Sequence, residues 1–155
     1  MMGRPFGEYL GIARFGLILI LIVTIGRWAV SLSGVPYFPR GSVFFSLVPT
    51  SYLLAICYGA MTPKLYGLSW SQTLVPVVII LLFTQILIFA STVVSYSAGM
   101  ETYFNYPEAL GATEKISAGA AYVERSKALV INVIAGCVMA LIGQLLGKAL
   151  PPGTR

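Results

Sequence analysis

Residues 74–98 read LVPVVIILLFTQILIFASTVVSYSA and contain no charged side chain. An α-helix of these 25 residues is about 37 Å long at 1.5 Å per residue, which is enough for a hydrocarbon core of about 30 Å. Backbone amides in lipid need hydrogen-bond partners within their own segment, and a helix supplies them. The run is also too continuous for a barrel strand, in which apolar and polar residues alternate. We therefore predict a transmembrane helix here.

Three further apolar runs of similar length flank this segment, at residues 15–33, 43–61 and 128–147. The connectors between them are 34–42, 62–73 and the long 99–127. Turn-forming residues mark the first connector and the end of the last run: Pro36, Pro39, Gly41, Pro151 and Pro152. We predict an all-α integral membrane protein, a single domain over 1–155 with four transmembrane helices in one bundle. The first run also has features of a signal peptide, but we favour a retained span.

The composition agrees with a membrane protein, because 57% of the 155 residues are apolar and 10% are charged, where a soluble domain has about a quarter. The chain has no histidine and no aspartate. These absences exclude a histidine-ligated metal, haem or chlorophyll, a Ser-His-Asp triad and an HExxH zinc helix. The ten basic residues are scattered, so the net charge of +5 does not indicate nucleic-acid binding.

The long connector between the third and fourth spans has helical features of its own. After Pro107, residues recur at spacings of four, three and four: Ile116, Ala120, Val123 and Lys127. We expect Thr113 to cap this stretch. The pattern predicts either a helix that lies in the membrane interface or an extension that carries the fourth helix out of the membrane.

Lysine and arginine residues near the span ends are equally numerous on the two sides of the membrane, so their count alone does not determine the orientation. Five lie on the side of the termini: Arg4, Arg14, Lys64, Lys148 and Arg155. Five lie on the opposite side: Arg27, Arg40, Lys115, Arg125 and Lys127. Arg27 counts less if it lies within the bilayer, so we expect a bacterial inner-membrane protein with both termini in the cytoplasm.

Arg27 is the most informative charge in the sequence. It follows the start of the first span by 12 residues, about 18 Å along a helix, and so falls within the apolar zone. One interpretation is that it snorkels to the interface, with Trp28 among the interfacial aromatic residues. The other is a buried ion pair, for which Glu101 is the preferred partner because it follows the third span on the same side.

Uncharged polar residues inside the spans are few: Gln85, Asn132 and Gln144. Such groups usually form hydrogen bonds between helices. The alternative is that they line a polar path for an ion or small solute. A path normally includes a carboxylate, and no glutamate lies within the core of any span.

Small residues repeat along one face of the fourth span at spacings of four, three and four: Gly136, Ala140, Gly143 and Gly147. Similar pairs occur in the second and third spans: Ala55, Gly59, Ser91 and Ser95. We call these eight residues the small-residue set. Small side chains let helix backbones approach closely, so the set predicts either packing within the chain or a face that binds another subunit.

Two connectors on the same side of the membrane are rich in aromatic residues and end in proline. Their aromatic residues are Tyr37, Phe38, Tyr103, Phe104 and Tyr106. Rings of this kind anchor proteins at the headgroup level, and they are also enriched where proteins dock. The sequence is compatible with both interpretations.

These features favour a small non-catalytic membrane subunit that stabilises a larger complex, a hetero-complex rather than a homo-oligomer. We expect no ligated cofactor, although lipid, quinone or pigment could bind by apolar contact, and the expected partners are other membrane subunits and lipids. The alternative is an oligomeric channel or transporter with a polar path near Gln85 and Asn132. A third hypothesis, an intramembrane lipid enzyme, would use Glu101, Glu108 and Arg125.

Overall fold

The computed structural model describes residues 4–38, 43 and 45–149, and within these ranges the chain is helical and has no strand. The elements are α1 (Phe6–Leu32), α2 (Leu47–Tyr66), α3 (Trp70–Ser97), a short 3₁₀-helix (Pro107–Leu110) and α4 (Ala118–Ala149). The all-helical prediction is therefore confirmed. Several residues that entered the sequence predictions lie outside the described ranges: Pro39, Arg40, Gly41, Pro151, Pro152 and Arg155.

Three of the helices, α1, α3 and α4, are long and apolar enough to cross a membrane. They contain the first, third and fourth predicted spans. The second predicted span, 43–61, falls largely on α2, which is not one of the three. Several hydroxyl-bearing residues, two prolines and Lys64 interrupt the apolar sequence of α2.

Two helices begin well before the predicted spans. α1 starts at Phe6, nine residues before the first predicted span. α4 starts at Ala118, which selects the extension of the fourth helix over a separate interfacial helix. The expected cap at Thr113 is wrong, since the Ser117 oxygens accept hydrogen bonds from the amides of Ala120 and Ala121 at 3.4 and 2.9 Å.

α3 lies at the centre of the bundle and contacts each of the other three helices. Its first turn is fixed by a capping box, in which Ser69 and Gln72 each accept a hydrogen bond from the other's backbone amide. Because α3 begins at Trp70, Pro76 lies inside the helix, beyond its first turn. The interior of the bundle is lined by small and branched side chains of α3 such as Val77, Ile80 and Leu81.

α2 and α4 pack with their backbones in direct contact. A Cβ added at Gly59 would lie 2.1 Å from the carbonyl oxygen of Ala140, and one at Gly143 would lie 2.1 Å from that of Ile56. A Cβ added at Gly147 would lie 2.6 Å from the carbonyl oxygen of Ala60. Close approach of this kind requires small residues.

The rest of the small-residue set also packs inside the chain. Gly136 lies against the Leu81 side chain, and Ala55 belongs to the same core cluster as Ala140. The Ser91 hydroxyl accepts a hydrogen bond from the Trp28 indole at 3.0 Å, and the Ser95 hydroxyl lies 2.6 Å from that of Thr102. These contacts favour packing within the chain over an open face for a partner.

Candidate functional site

The Arg27 side chain lies among three aromatic rings near the end of α1. Its guanidinium carbon is 5.4 Å from the ring centre of Tyr103, 5.7 Å from that of Phe104 and 5.8 Å from that of Tyr37. Only 8% of the residue is exposed. Attraction between the cation and the ring faces offsets part of the desolvation of the guanidinium. Because α1 starts at Phe6 and ends at Leu32, Arg27 lies about 8 Å from the helix end.

Both aromatic connectors contribute to this arrangement. The Tyr37 ring stacks on Tyr106 with centroids 4.9 Å apart and meets the edge of Tyr103 at 5.3 Å. The Tyr103 amide donates a hydrogen bond to the Ser31 hydroxyl at 2.9 Å, which ties the second connector to α1. Phe38 is the exception, because it is 70% exposed. Most of these rings thus pack within the protein.

The segment 102–105 is buried, so its polar groups need partners inside the protein. The Asn105 side chain accepts a hydrogen bond from the Thr102 amide and donates one to the Met100 carbonyl, both at 2.8 Å. The Phe104 amide donates to the Thr102 hydroxyl at 3.1 Å. These bonds fix the turn that presents the Tyr103 and Phe104 side chains to Arg27.

Arg125 approaches the same place from α4. Its Nη2 donates to the Phe104 carbonyl at 2.8 Å, its Nη1 to the Ala109 carbonyl at 3.0 Å and its Nε to the Thr92 hydroxyl at 3.1 Å. All three acceptors are neutral, so the positive charge of this guanidinium is kept. Phe104 joins the two arginines, since its ring faces Arg27 and its carbonyl binds Arg125.

Arg27 and Arg125 both line one cavity of about 140 Å³, which we call the arginine cavity. Its described lining comes from all four helices and both aromatic connectors: Arg27, Tyr37, Ser46, Leu47, Val48, Ile88, Tyr103, Phe104, Ala109 and Arg125. The first turn of α2 is part of this lining, and the first amides of a helix have no acceptor within the helix. Two basic residues and the first turn of α2 therefore line one space that is large enough for a small polyatomic anion.

No glutamate is among the described residues that line the arginine cavity. Glu8 pairs with Arg4 near the start of α1, and Glu124 pairs with Lys127 at 2.7 Å. Glu101 pairs with Lys115 at 2.8 Å, and the remaining two glutamates, Glu108 and Glu114, are exposed. Since the sequence has no aspartate, these five are all of its acidic side chains.

The predicted pairing of Arg27 with Glu101 is wrong in this structure. Glu101 follows the end of α3 and is exposed, whereas Arg27 is enclosed by aromatic rings. Lys115 takes the place of Arg27 as the partner of this carboxylate, and its ammonium lowers the pKa of Glu101. Arg27 thus neither pairs with Glu101 nor extends freely to water.

The polar residues of the spans mostly join helices. The Asn132 side chain accepts a hydrogen bond from the Tyr52 hydroxyl at 2.8 Å, and Gln144 donates one to the Trp70 carbonyl at 3.1 Å. Gln85 is buried in α3, where its Nε2 has no hydrogen-bond partner among the described residues. The contacts of Asn132 and Gln144 favour the helix-packing interpretation for those two.

The residues of the third hypothesis do not form one site. Glu101 and Glu108 line a surface cavity of about 230 Å³ with Lys115, whereas Arg125 lines the arginine cavity. Over the described part of the chain, no group of three potential metal ligands from histidine, cysteine and acidic residues occurs.

The sequence named Arg125 only as part of an enzyme site with Glu101 and Glu108, not beside Arg27, and it did not name Thr92 at all. A signal for Arg125 was present, because the small-residue face of α4 continues toward its N-terminus through Asn132 and Arg125 to Ala121 at helical spacing. This places Arg125 on the inward face, although its position in a connector suggested exposure. Thr92 carries no comparable signal.

The arginine cavity thus brings two arginines and the first turn of α2 together at one end of the helical bundle. Comparisons with protein-family models, with curated proteins and with solved structures give no match to this chain. Its own residues therefore carry the evidence for its function.

Proposed function

We propose that this protein is an integral membrane protein that binds an anionic group in the arginine cavity. The observation that carries the proposal is the convergence of Arg27, Arg125 and the first turn of α2 on one cavity, with no glutamate among its described lining. A phosphate or carboxylate suits this setting, because guanidinium groups donate paired hydrogen bonds to both.

The electrostatics favour an anion over any other small ligand. Two positive charges that line one cavity repel each other, and more strongly in a partly buried setting than in water. An anion between the two guanidiniums converts this cost into attraction to both. The three neutral hydrogen-bond acceptors of Arg125 hold its side chain in place without neutralising its charge.

We place α2 in the membrane as a fourth span, beside the three more apolar helices. Its 20 residues are about 30 Å long, enough to cross the hydrocarbon core. Several of its hydroxyls donate to carbonyls one turn earlier, as Thr50 does to Ser46 and Thr62 does to Tyr58. With polar groups satisfied in this way and glycine contacts to α4, such a helix is compatible with a lipid environment.

The arginine cavity then lies at the headgroup level, close to the ends of the helices. With both termini in the cytoplasm of a bacterial cell, as the sequence favours, it faces the opposite side of the inner membrane. We expect a binding role without catalysis, because the groups that line the cavity are guanidiniums, phenols, backbone amides and apolar side chains. These bind an anion but include no obvious general base at neutral pH.

The test is the thermal stability of the purified protein in detergent, measured at constant ionic strength with phosphate, sulfate or chloride. A ligand that binds only the folded state stabilises it by about 1.4 kcal/mol at ten times its dissociation constant. We expect phosphate and sulfate to raise the melting temperature, and Arg27→Gln to abolish this rise. Arg14→Gln, on the same helix but exposed near its other end, is the matched control and should keep it.

Two results would contradict the proposal. One is that neither phosphate nor sulfate raises the melting temperature of the wild type above its value in chloride, even at high concentration. The other is an equal rise in the wild type and in Arg27→Gln, because the anion would then act elsewhere.

A second candidate function is the one that the sequence favoured, a subunit of a hetero-oligomeric membrane complex. The exposed Phe38 is the observation that supports it, since this ring does not join the cluster around Arg27. Heterologous partners that co-purify in mild detergent with the wild type, and are lost with Phe38→Ser, would support this role. Unchanged recovery with Phe38→Ser would count against a partner at this loop.

A further inference from the structure

A second cavity adjoins the arginine cavity on the outer side of α4. Its volume is about 300 Å³, and we call it the outer groove. The two cavities share Ala109 and Arg125. The other lining residues of the outer groove are Leu110, Gly111, Glu124, Lys127, Ala128 and Ile131. Arg125 thus lines both cavities.

The outer groove becomes apolar in the direction of the bilayer centre. Arg125 lies seven residues from the start of α4, about 10 Å along the helix, and Ile131 lies six residues further, about 9 Å deeper. Ile131 is 64% exposed on the face that lipid covers in a membrane. At the shallow end, Lys127 and Glu124 pair with each other, so they add no net charge to the groove.

This arrangement fits an amphiphile better than a free ion. An anionic head would lie between the guanidiniums, and an attached chain would leave past Arg125 and extend along Ala128 and Ile131 toward the membrane interior. A free anion uses only the first of these two connected spaces.

We propose that the ligand of this protein is a glycerophospholipid, with its phosphate between Arg27 and Arg125 and one acyl chain in the outer groove. This inference rests on the proposed anion-binding function and names the source of the anion. The other source of the same chemistry is a free phosphate or phosphate monoester from the aqueous phase.

Three probes distinguish the contribution of the phosphate head to binding from that of the acyl chains. Dioctanoyl phosphatidic acid carries both parts, glycerol 3-phosphate carries the phosphate without chains, and dioctanoylglycerol carries the chains without phosphate. Their dissociation constants are measured on the detergent-solubilised wild type by native mass spectrometry and by thermal stability. We expect phosphatidic acid to bind at least about tenfold more tightly than glycerol 3-phosphate, since burial of only two methylene groups corresponds to that ratio.

A bulky substitution in the outer groove tests the placement of the chain. Ala128→Phe should weaken the binding of phosphatidic acid severalfold and leave the binding of glycerol 3-phosphate unchanged. Val138→Phe, on the same helix and facing outward in the deeper part of the span, is the control and should change neither. Arg27→Gln should weaken both phosphate-bearing probes. If Ala128→Phe does not fold, the comparison of the three probes on the wild type still decides the proposal.

Equal affinity for glycerol 3-phosphate and phosphatidic acid would overturn the lipid assignment and leave the anion-binding function intact. Equal affinity for dioctanoylglycerol and phosphatidic acid would overturn both, because the phosphate would contribute nothing. No binding of any phosphate-bearing probe would also overturn both.

Discussion

Arg125 joins three parts of the protein with one side chain. It reaches α3 through Thr92, the 3₁₀-helix through Ala109 and the second aromatic connector through Phe104. Without it, the carbonyls of Ala109 and Phe104 would lose a donor in a partly enclosed setting. The same side chain therefore supports both the local fold and the arginine cavity.

Arg125→Ala should lower the free energy of unfolding by about 3 kcal/mol, because hydrogen bonds to charged groups contribute about 1.5–3 kcal/mol each and do not add fully. The measurement is reversible unfolding of the detergent-solubilised protein by SDS, followed by tryptophan fluorescence. Lys127→Ala, two residues further along α4, removes an exposed ion pair and should cost less than about 1 kcal/mol. A loss of similar size in the two variants would show that Arg125 is no more than a surface charge.

The sequence predicted that Arg27 is unusual but not which residues surround it, and the reason is physical. Arg27 was recognised as unusual because it lies deep in an apolar run, a property that depends only on local sequence. Its surroundings depend on how two connectors, separated by more than 60 residues, fold onto the end of α1. Glu101 was therefore a reasonable partner by its position in the sequence. In the structure its carboxylate pairs with the exposed Lys115 instead, and both side chains remain accessible to water.

The contact between α2 and α4 is the closest helix packing in the protein. The backbones meet at three glycines of the two helices, and their partners across the interface are carbonyl groups, which cannot move aside as a flexible side chain can. This packing also brings the first turn of α2 to the end of the bundle where the arginine cavity lies.

Gly143→Ala should destabilise the protein by about 2 kcal/mol or more, because its new Cβ would be 2.1 Å from the Ile56 carbonyl oxygen and the helices would have to separate. Gly119→Ala is the matched control on the same helix, since nothing lies within 4 Å of the Cβ that it adds. That variant should be neutral or up to about 1 kcal/mol more stable, because alanine favours helix formation. Equal melting temperatures for the two variants would contradict the close packing.

Apolar length predicted the middle of the helices well and their ends poorly. The early turns of α1 and α4 carry charges and glycines, which the search for continuous apolar runs excludes. Helices continue past the hydrocarbon core when capping or side-chain bonds support them, as Ser117 does for α4. The small-residue set was found from spacing alone, but only the structure distinguishes packing within the chain from a partner face.

The proposed topology has α2 cross the membrane, so that the two aromatic connectors lie on one side. Single cysteines in a background without Cys57 and Cys137 test this. Val43→Cys and Thr113→Cys should react in intact cells with a maleimide that does not cross the membrane, and Ser71→Cys should react only after lysis. All three positions are exposed.

Labelling of positions 43 and 71 from the same side would show that α2 does not cross. The arginine cavity could then not be assembled from connectors on one face of a four-span bundle. Reaction of position 71 alone in intact cells would keep the four spans and reverse the orientation, placing the cavity on the cytoplasmic side.

Arg27 and Arg125 are proposed to bind one anion between them. The most direct measurement is a crystal structure of the protein grown with selenate, a phosphate-sized anion whose selenium is located by anomalous scattering. We predict an anomalous peak in the arginine cavity, within hydrogen-bond distance of both guanidiniums and close to the first turn of α2. A well-diffracting crystal with selenate ordered elsewhere and no peak between the two arginines would contradict the claim.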